Sequence, residues 1–261
     1  MSSSAAIEIA AAFLLQESFN LKIEPLEMIR LCQRAENEFV GVSCGIMDQF
    51  VVRLAQKGKS LFLNCRDLSY EQVPFSNRDI RIVVLNTMVK RELKGSLYNT
   101  RRSECQEAVK IFKRFLPISS LGEADLDIFE KYKAKLAPQV LKRTRHVISE
   151  NERVKKAVSF LKSSDFSSFG ECMYESHKSL RDNYEVSSPE LDLMVELAGK
   201  IKGTLGSRMT GAGFGGCTVN LVKEEALDSF KKEVIEGYRQ KTGISPEIYV
   251  SNAEEGVSRI T

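Results

Sequence analysis

A chain of 261 residues, 43% apolar and 28% charged, is long enough to bury one large core or two smaller ones. Its net charge of +3 is too small and too dispersed for the concentrated basic face of a nucleic-acid protein. Six cysteines without CxxC spacing and only two histidines argue against a disulfide framework, a structural zinc site and a His-rich metal centre.

Residues 5–18 are nearly all helix formers, with serines at the capping positions ahead of them. Apolar residues lie on most sides, the pattern of a helix packed inside a domain. The stretch has no basic flank, carries Glu8 in its middle and leads to no small-residue cleavage site. No apolar run in the chain reaches the roughly 18–20 residues of a membrane span. The reading is a cytoplasmic protein whose cysteines, Cys172 and Cys217 included, act as small buried hydrophobes.

Pro25 opens a second helix over 26–39, with Met28, Ile29, Leu31, Cys32 and Ala35 on one face and Gly41 as its stop. A short third helix is expected over 46–55. Period two then takes over, so 60–65, 71–75 and 80–86 read as strands, followed by a polar connection over 86–95. The helical period returns over 100–115, and helices dominate to about 200. The short basic runs Arg101-Arg102 and Lys142-Arg143 read as solvated helix faces. Strands over 204–210 and 217–222 bracket a glycine cluster, and a helix over 224–241 with a strand over 247–251 closes the chain. The order is mixed α+β in two lobes, 1–77 and 78–261, without repeat or flexible linker.

Three segments carry chemistry. Ser2-Ser3-Ser4-Ala5-Ala6 runs straight into a helix, where small hydroxyl residues leave backbone N–H groups free for an anion; a plain N-cap accounts for the same residues. In Cys44-Gly45-Ile46-Met47-Asp48-Gln49-Phe50, Asp48 reads either as a common first-turn acid or as a buried carboxylate facing a substrate hydroxyl. The stretch Gly206-Ser207-Arg208-Met209-Thr210-Gly211-Ala212-Gly213-Phe214-Gly215-Gly216 holds five glycines in eleven residues, more than a simple hairpin needs. Such density lets backbone approach a ligand or another strand closely. It is not a Walker A loop, because no Lys-Ser/Thr follows, and a strand rather than a helix follows it, unlike a Rossmann fingerprint.

In this order the three segments resemble the galactokinase branch of the GHMP small-molecule kinases. CQRAENEF at 32–39, Arg145-His146-Val147 and ESHKSLRDNYEVSSPEL at 175–191 carry the likeness through the whole chain. The resemblance implies the two-lobed α+β GHMP kinase fold: an N-terminal lobe like the second domain of ribosomal protein S5, partial here, and an α+β C-terminal lobe. It implies transfer of the γ-phosphoryl group of ATP to the anomeric hydroxyl of galactose, giving galactose 1-phosphate and ADP.

Carried over by position, Ser2, Ser3 and Ser4 would belong to the phosphate-binding loop, and Ser4 and Glu36 would hold Mg²⁺ directly or through water. Asp48 would be the catalytic carboxylate near the sugar's C1 hydroxyl, as base or orienting group, with Gly45 lining the sugar pocket. Tyr98, in SLYNTRR, would contact the sugar, and Gly211 and Gly213 would lie in the third family motif, supporting the nucleotide and sugar loops. Glu36 and Glu38 are two apart on a helix and so point to different faces, which leaves one of them for a metal. The implied partners are galactose and ATP, with neither nucleic acid nor membrane, and a monomer for the full-length family.

Galactokinases begin with a segment holding an Arg and a Gly-Glu-His-x-Asp run; this sequence has no such run, and Met1 stands where the serine loop's Leu would be. The expectation is therefore a chain without the family's first motif, its activity alone left open. Its first helix would lack the sheet that covers it and be open to pairing with another chain. Two further readings share the motifs, an N-acetylgalactosamine kinase and a noncatalytic galactokinase-like sensor of sugar and ATP. The CGIMDQF segment favours plain galactose.

Overall fold

In the computed structural model residues 2–41, 44–75, 77–89 and 94–259 are described, without the side chains at 94–96 and 98. Helix α1, Ser3–Ser18, buries Ala5 and Ile9. It packs on α2, Pro25–Arg34, and α3, Met47–Leu54. This helix, apolar on most sides and expected to lack a covering sheet, is covered along one side only: Ile7, Leu14, Leu15 and Phe19 are 70%, 65%, 53% and 68% exposed. Its sequence offers apolar residues all round, so the stripe that α2 and α3 reach is the part that becomes core.

Pro25 at the first turn of α2 presets the helical φ without wasting a donor. Met28, Ile29 and Cys32 then turn inward onto Ile9 and Phe50. The helix expected to run on to 39 instead widens into a π-helical turn, Ala35–Val40, which Gly41 ends at φ 81°. A wide turn of this kind resets which side chains face inward, and here Glu36 is the residue that is buried. Strands β1, Lys59–Leu63, and β2, Tyr70–Pro74, pair antiparallel. Residues 252–259, read from the sequence with the second lobe, hydrogen-bond here: Gly58 and Gly256 N–H donate to Ala253 and Ala55 carbonyls, and Val257 N–H to Val52 O. The first compact unit is thus Met1–Asn77 with Asn252–Thr261, and the second is Arg78–Ser251.

In the second unit β3, Ile80–Asn86, lies between β5, Cys217–Lys223, and β6, Glu247–Ser251, with β4, Thr204–Thr210, at the far edge. All the pairings are antiparallel. Helices α8, Pro189–Lys200, and α9, Leu227–Thr242, supply Met194, Ala198, Phe230, Val234 and Tyr238 to a core with Val83, Leu85 and Val222 of the sheet. The Tyr238 hydroxyl satisfies itself by donating to Thr87 O at 2.9 Å. A second cluster joins α4, Lys94–Phe112, α5, Leu126–Tyr132, and α6, Pro138–Lys162, through Phe112, Phe129, Val140 and Ile148. Helix α7, Phe166–Ser179, starts at an Asp165 cap that accepts from Ser168 N–H and ends in a π-helical turn, Leu180–Tyr184.

Of the two basic runs read as solvated faces, Arg102 and Lys142 are exposed but Arg101 and Arg143 are not. Arg143 is 1% exposed. It donates to Glu104 at 2.8 Å, Glu185 at 2.7 Å and Asn183 O at 2.6 Å. Arg101 bonds Glu104 at 3.1 Å and the carbonyls of Tyr184 and Glu185 at 2.7 and 3.1 Å, while Lys142 reaches Glu185 at 2.6 Å. The acid and the carbonyl that tie Arg143 to the 183–185 turn lie some 40 residues away in sequence, beyond any local charge pattern. A guanidinium is the cation suited to such a site, because its planar fork meets several acceptors at once. Hydrogen bonds from Lys142 and Arg143 hold the Glu185 carboxyl down at about 2.

Candidate functional site

Ser2 caps α1 in a left-handed conformation, φ 52°, ψ 32°, without using its side chain, and its carbonyl accepts the first helical bond from Ala6. Ser2, Ser3 and Ser4 are all exposed. The first-turn N–H groups of any helix have no partner inside it, and the dipole adds partial positive charge there. Ser4 and Glu8 are one turn apart, so they share a face of α1.

Glu8 is the functional candidate that sequence reasoning passed over. Gln49, 1% exposed on α3, donates to its carboxylate at 3.5 Å. Burial pushes the Glu8 carboxyl up; the Gln49 bond opposes that, and the Glu36 charge adds to it. Glu36 is 8% exposed, whereas Glu38 points to solvent and pairs with Arg34 at 3.8 Å. The Oε1 atom of Gln49 is buried with no protein partner. Two neighbouring acids, exposed hydroxyls and an orphaned amide oxygen are hard oxygen donors of the kind Mg²⁺ takes. Among the described residues no group of three or more His, Cys, Asp or Glu forms, so a bound ion would complete its shell with phosphate oxygens and water.

Cys44 N–H donates to Asn37 Oδ1 at 3.0 Å, and Gln33 donates to Cys44 O at 3.3 Å, which ties the Gly45 segment to the end of α2. Burial and the adjacent Glu36 raise the Cys44 thiol to about 11, so it stays protonated. Asp48 stands in the first turn of α3. The buried carboxylate of one sequence reading is not found: Asp48 is exposed, and Gln49 and Phe50 are the residues that turn inward. Its side chain makes no hydrogen bond or ion pair with the described residues, which leaves both oxygens free to accept.

In the second unit the glycine stretch connects β4 to β5, and Gly211, Gly213, Gly215 and Gly216 have φ of 78°, 84°, 110° and 91°. Phe214 N–H donates to Val186 O at 2.7 Å. A Cβ on Gly213 would fall far inside van der Waals contact with that same carbonyl, whereas nothing lies within 4 Å of one on Gly45. Gly213→Ala is therefore expected to cost about 2–4 kcal/mol, left-handed strain plus overpacking. Gly45→Ala should stay within about 0.5 kcal/mol. Urea unfolding of both variants checks the contrast, and equal midpoints would refute it. Tyr98 belongs to α4, but its side chain lies outside the described residues.

The models for the GHMP kinases N terminal domain and the GHMP kinases C terminal domain match residues 1–55 and 155–240. The galactokinase of Fusobacterium nucleatum is 47% identical over the whole chain, which spans 67% of that protein. The chain belongs to the galactokinase family. The Bacillus subtilis galactokinase is 40% identical over the same span. A crystal structure of Lactococcus lactis galactokinase complexed with galactose superposes with TM-score 0.95 at 39% identity, covering 99% of this chain and 67% of that one. A mevalonate kinase structure at TM-score 0.62 and 19% identity shares the fold alone. Family membership establishes an enzyme of the ATP-dependent sugar kinase class with the two-domain GHMP kinase fold. Among the described residues no helix is long and apolar enough to cross a membrane.

Proposed function

We propose that this chain is a galactokinase that moves the γ-phosphoryl group of ATP to the anomeric hydroxyl of galactose, with Mg²⁺, in the cytoplasm. The full-chain likeness to the galactose-complexed enzyme, TM-score 0.95, carries the reading. Phosphoryl transfer asks mainly for positioning and charge neutralisation, and the local chemistry suits it. Ser2 to Ser4 and the amides at the start of α1 take phosphate oxygens. Ser4, Glu36 and Glu8 are the oxygen donors for Mg²⁺, which neutralises phosphate charge when bound. Asp48, exposed and bonded to none of the described residues, accepts the hydrogen of the sugar hydroxyl; Gly45 and Tyr98 line the sugar, and Gly211 and Gly213 support the bound ligands.

A coupled assay on the 261-residue chain with ATP and Mg²⁺ should show ADP release that depends on galactose. Release with N-acetylgalactosamine and not galactose would sink the substrate assignment. Galactose binding without turnover would replace the enzyme with a sensor.

A further inference from the structure

Strand β4 is the edge of its sheet, and the glycine stretch leaves from its end. Near that end the N–H of Met209 donates to Nδ1 of His177 on α7, at 3.2 Å and away from water. A backbone N–H can only donate, so Nδ1 is the acceptor and the neutral ring carries its proton on Nε2. Nε2 lies 3.1 Å from Oδ1 of Asp192 on α8. The contact is bent, an electrostatic approach rather than a well-aligned hydrogen bond. The same Oδ1 accepts from the Ser187 hydroxyl at 2.6 Å. Ser187 follows Val186, whose carbonyl receives the Phe214 N–H at 2.7 Å.

The glycine stretch is thus tied to one carboxylate at two places, at its entry through Met209 and in its middle through Phe214, while at its exit Gly216 O separately accepts from the Thr87 N–H and hydroxyl. With positive φ at four glycines and at Phe214, φ 57°, the stretch has little intrinsic preference for one shape. Its shape must come from its surroundings. We propose that His177 and Asp192 are positioning residues that set the conformation in which the Gly211–Gly216 stretch meets bound nucleotide. The inference rests on the proposed role of that stretch in supporting the ligands.

The test compares His177→Asn, whose amide oxygen can replace Nδ1, with His177→Gln, whose amide reaches toward Asp192 but leaves the Met209 N–H unmatched. Hydrogen exchange over residues 205–218 and the Kd for ATP with Mg²⁺ are measured on the whole chain. Losing one buried hydrogen bond corresponds to about tenfold. His177→Gln should exchange and dissociate faster by about that factor, with His177→Asn restored to within about threefold of wild type. A merely structural histidine would move both variants together with their melting temperatures, and that outcome overturns the proposal. Faster exchange in His177→Gln with unchanged ATP affinity overturns it too. Gly213→Ala then separates the causes. If Gly213→Ala weakens ATP binding, the stretch keeps its role and only the positioning claim falls. If it does not, the role of the stretch falls as well.

Discussion

Asp48→Asn is expected to lower the kcat of galactose-dependent ADP release by about 10²–10⁴-fold. Its melting temperature should change by no more than about 2 °C. The two halves of this expectation come from one observation. Asp48 is exposed, in the first turn of α3, and bonded to none of the described residues, so no fold contact is lost with its charge. The remaining cost is the loss of a negative charge near a helix N-terminus, about 0.3–1 kcal/mol. The amide keeps the shape and one acceptor oxygen but cannot take a proton. A kcat within threefold of wild type would remove Asp48 from the reaction, and a collapse of thermal stability would make it structural instead.

Arg143→Leu should destabilise the protein by about 3 kcal/mol, at the low end for a broken buried ion pair because Glu185 keeps some solvent. The loss comes from removing the Arg143 bonds to Glu104 and Glu185, which keep Arg101 and Lys142 as partners, and from taking the Arg143 donor away from Asn183 O. The effect must also depend on pH. The folded-state pKa of Glu185 is depressed to about 2 from an ordinary 4.5, so its contribution is complete above about 4.5 and is lost as pH falls toward 2. Lys142, the larger cause of that depression, remains in the variant, so wild type and variant should draw closer in acid by the Arg143 share alone. Denaturant midpoints at pH 7 and pH 3 read this directly, and a gap that stays constant would assign the Arg143 effect to packing alone.

Sequence order made the element types legible because each has a local signal. Ile80–Asn86 is a strand at the bounds that period two gave it, Glu247–Ser251 is a strand at its expected bounds, and Pro25 starts a helix where its fixed φ demands one. The π-helical turn at Ala35–Val40 was not legible, since it depends on how Glu36 and its neighbours pack rather than on propensity. Arg143 was misread for a related reason: local charge patterning describes a helix surface and is blind to a partner on a distant turn. In the site, motif resemblance supplied Glu36 and Asp48, while Glu8 and His177 were drawn from geometry. Glu8 had a signal, one turn after Ser4 on the same helix, that a search for isolated motifs does not weigh. His177 had none, because its partners are a backbone amide and an acid on another helix.

Gly170 on α7 faces Gly206 on β4 so closely that a Cβ on Gly206 would sit 2.5 Å from Gly170 Cα. A mid-helix glycine costs about 1 kcal/mol against alanine, so the contact is maintained against a local penalty. What it yields is a ruler. Gly170 and His177 are seven residues apart, two turns of helix, so they lie on one face about 10.5 Å apart along its axis. Gly206 and Met209 are three residues apart on the strand, about 10 Å. Helix and strand therefore touch at two marks of nearly equal spacing, one bare backbone against bare backbone, the other a ring nitrogen against an amide. Two marks fix both translation and tilt, so a slip at the first would be delivered as a misfit at the second, where the glycine stretch begins.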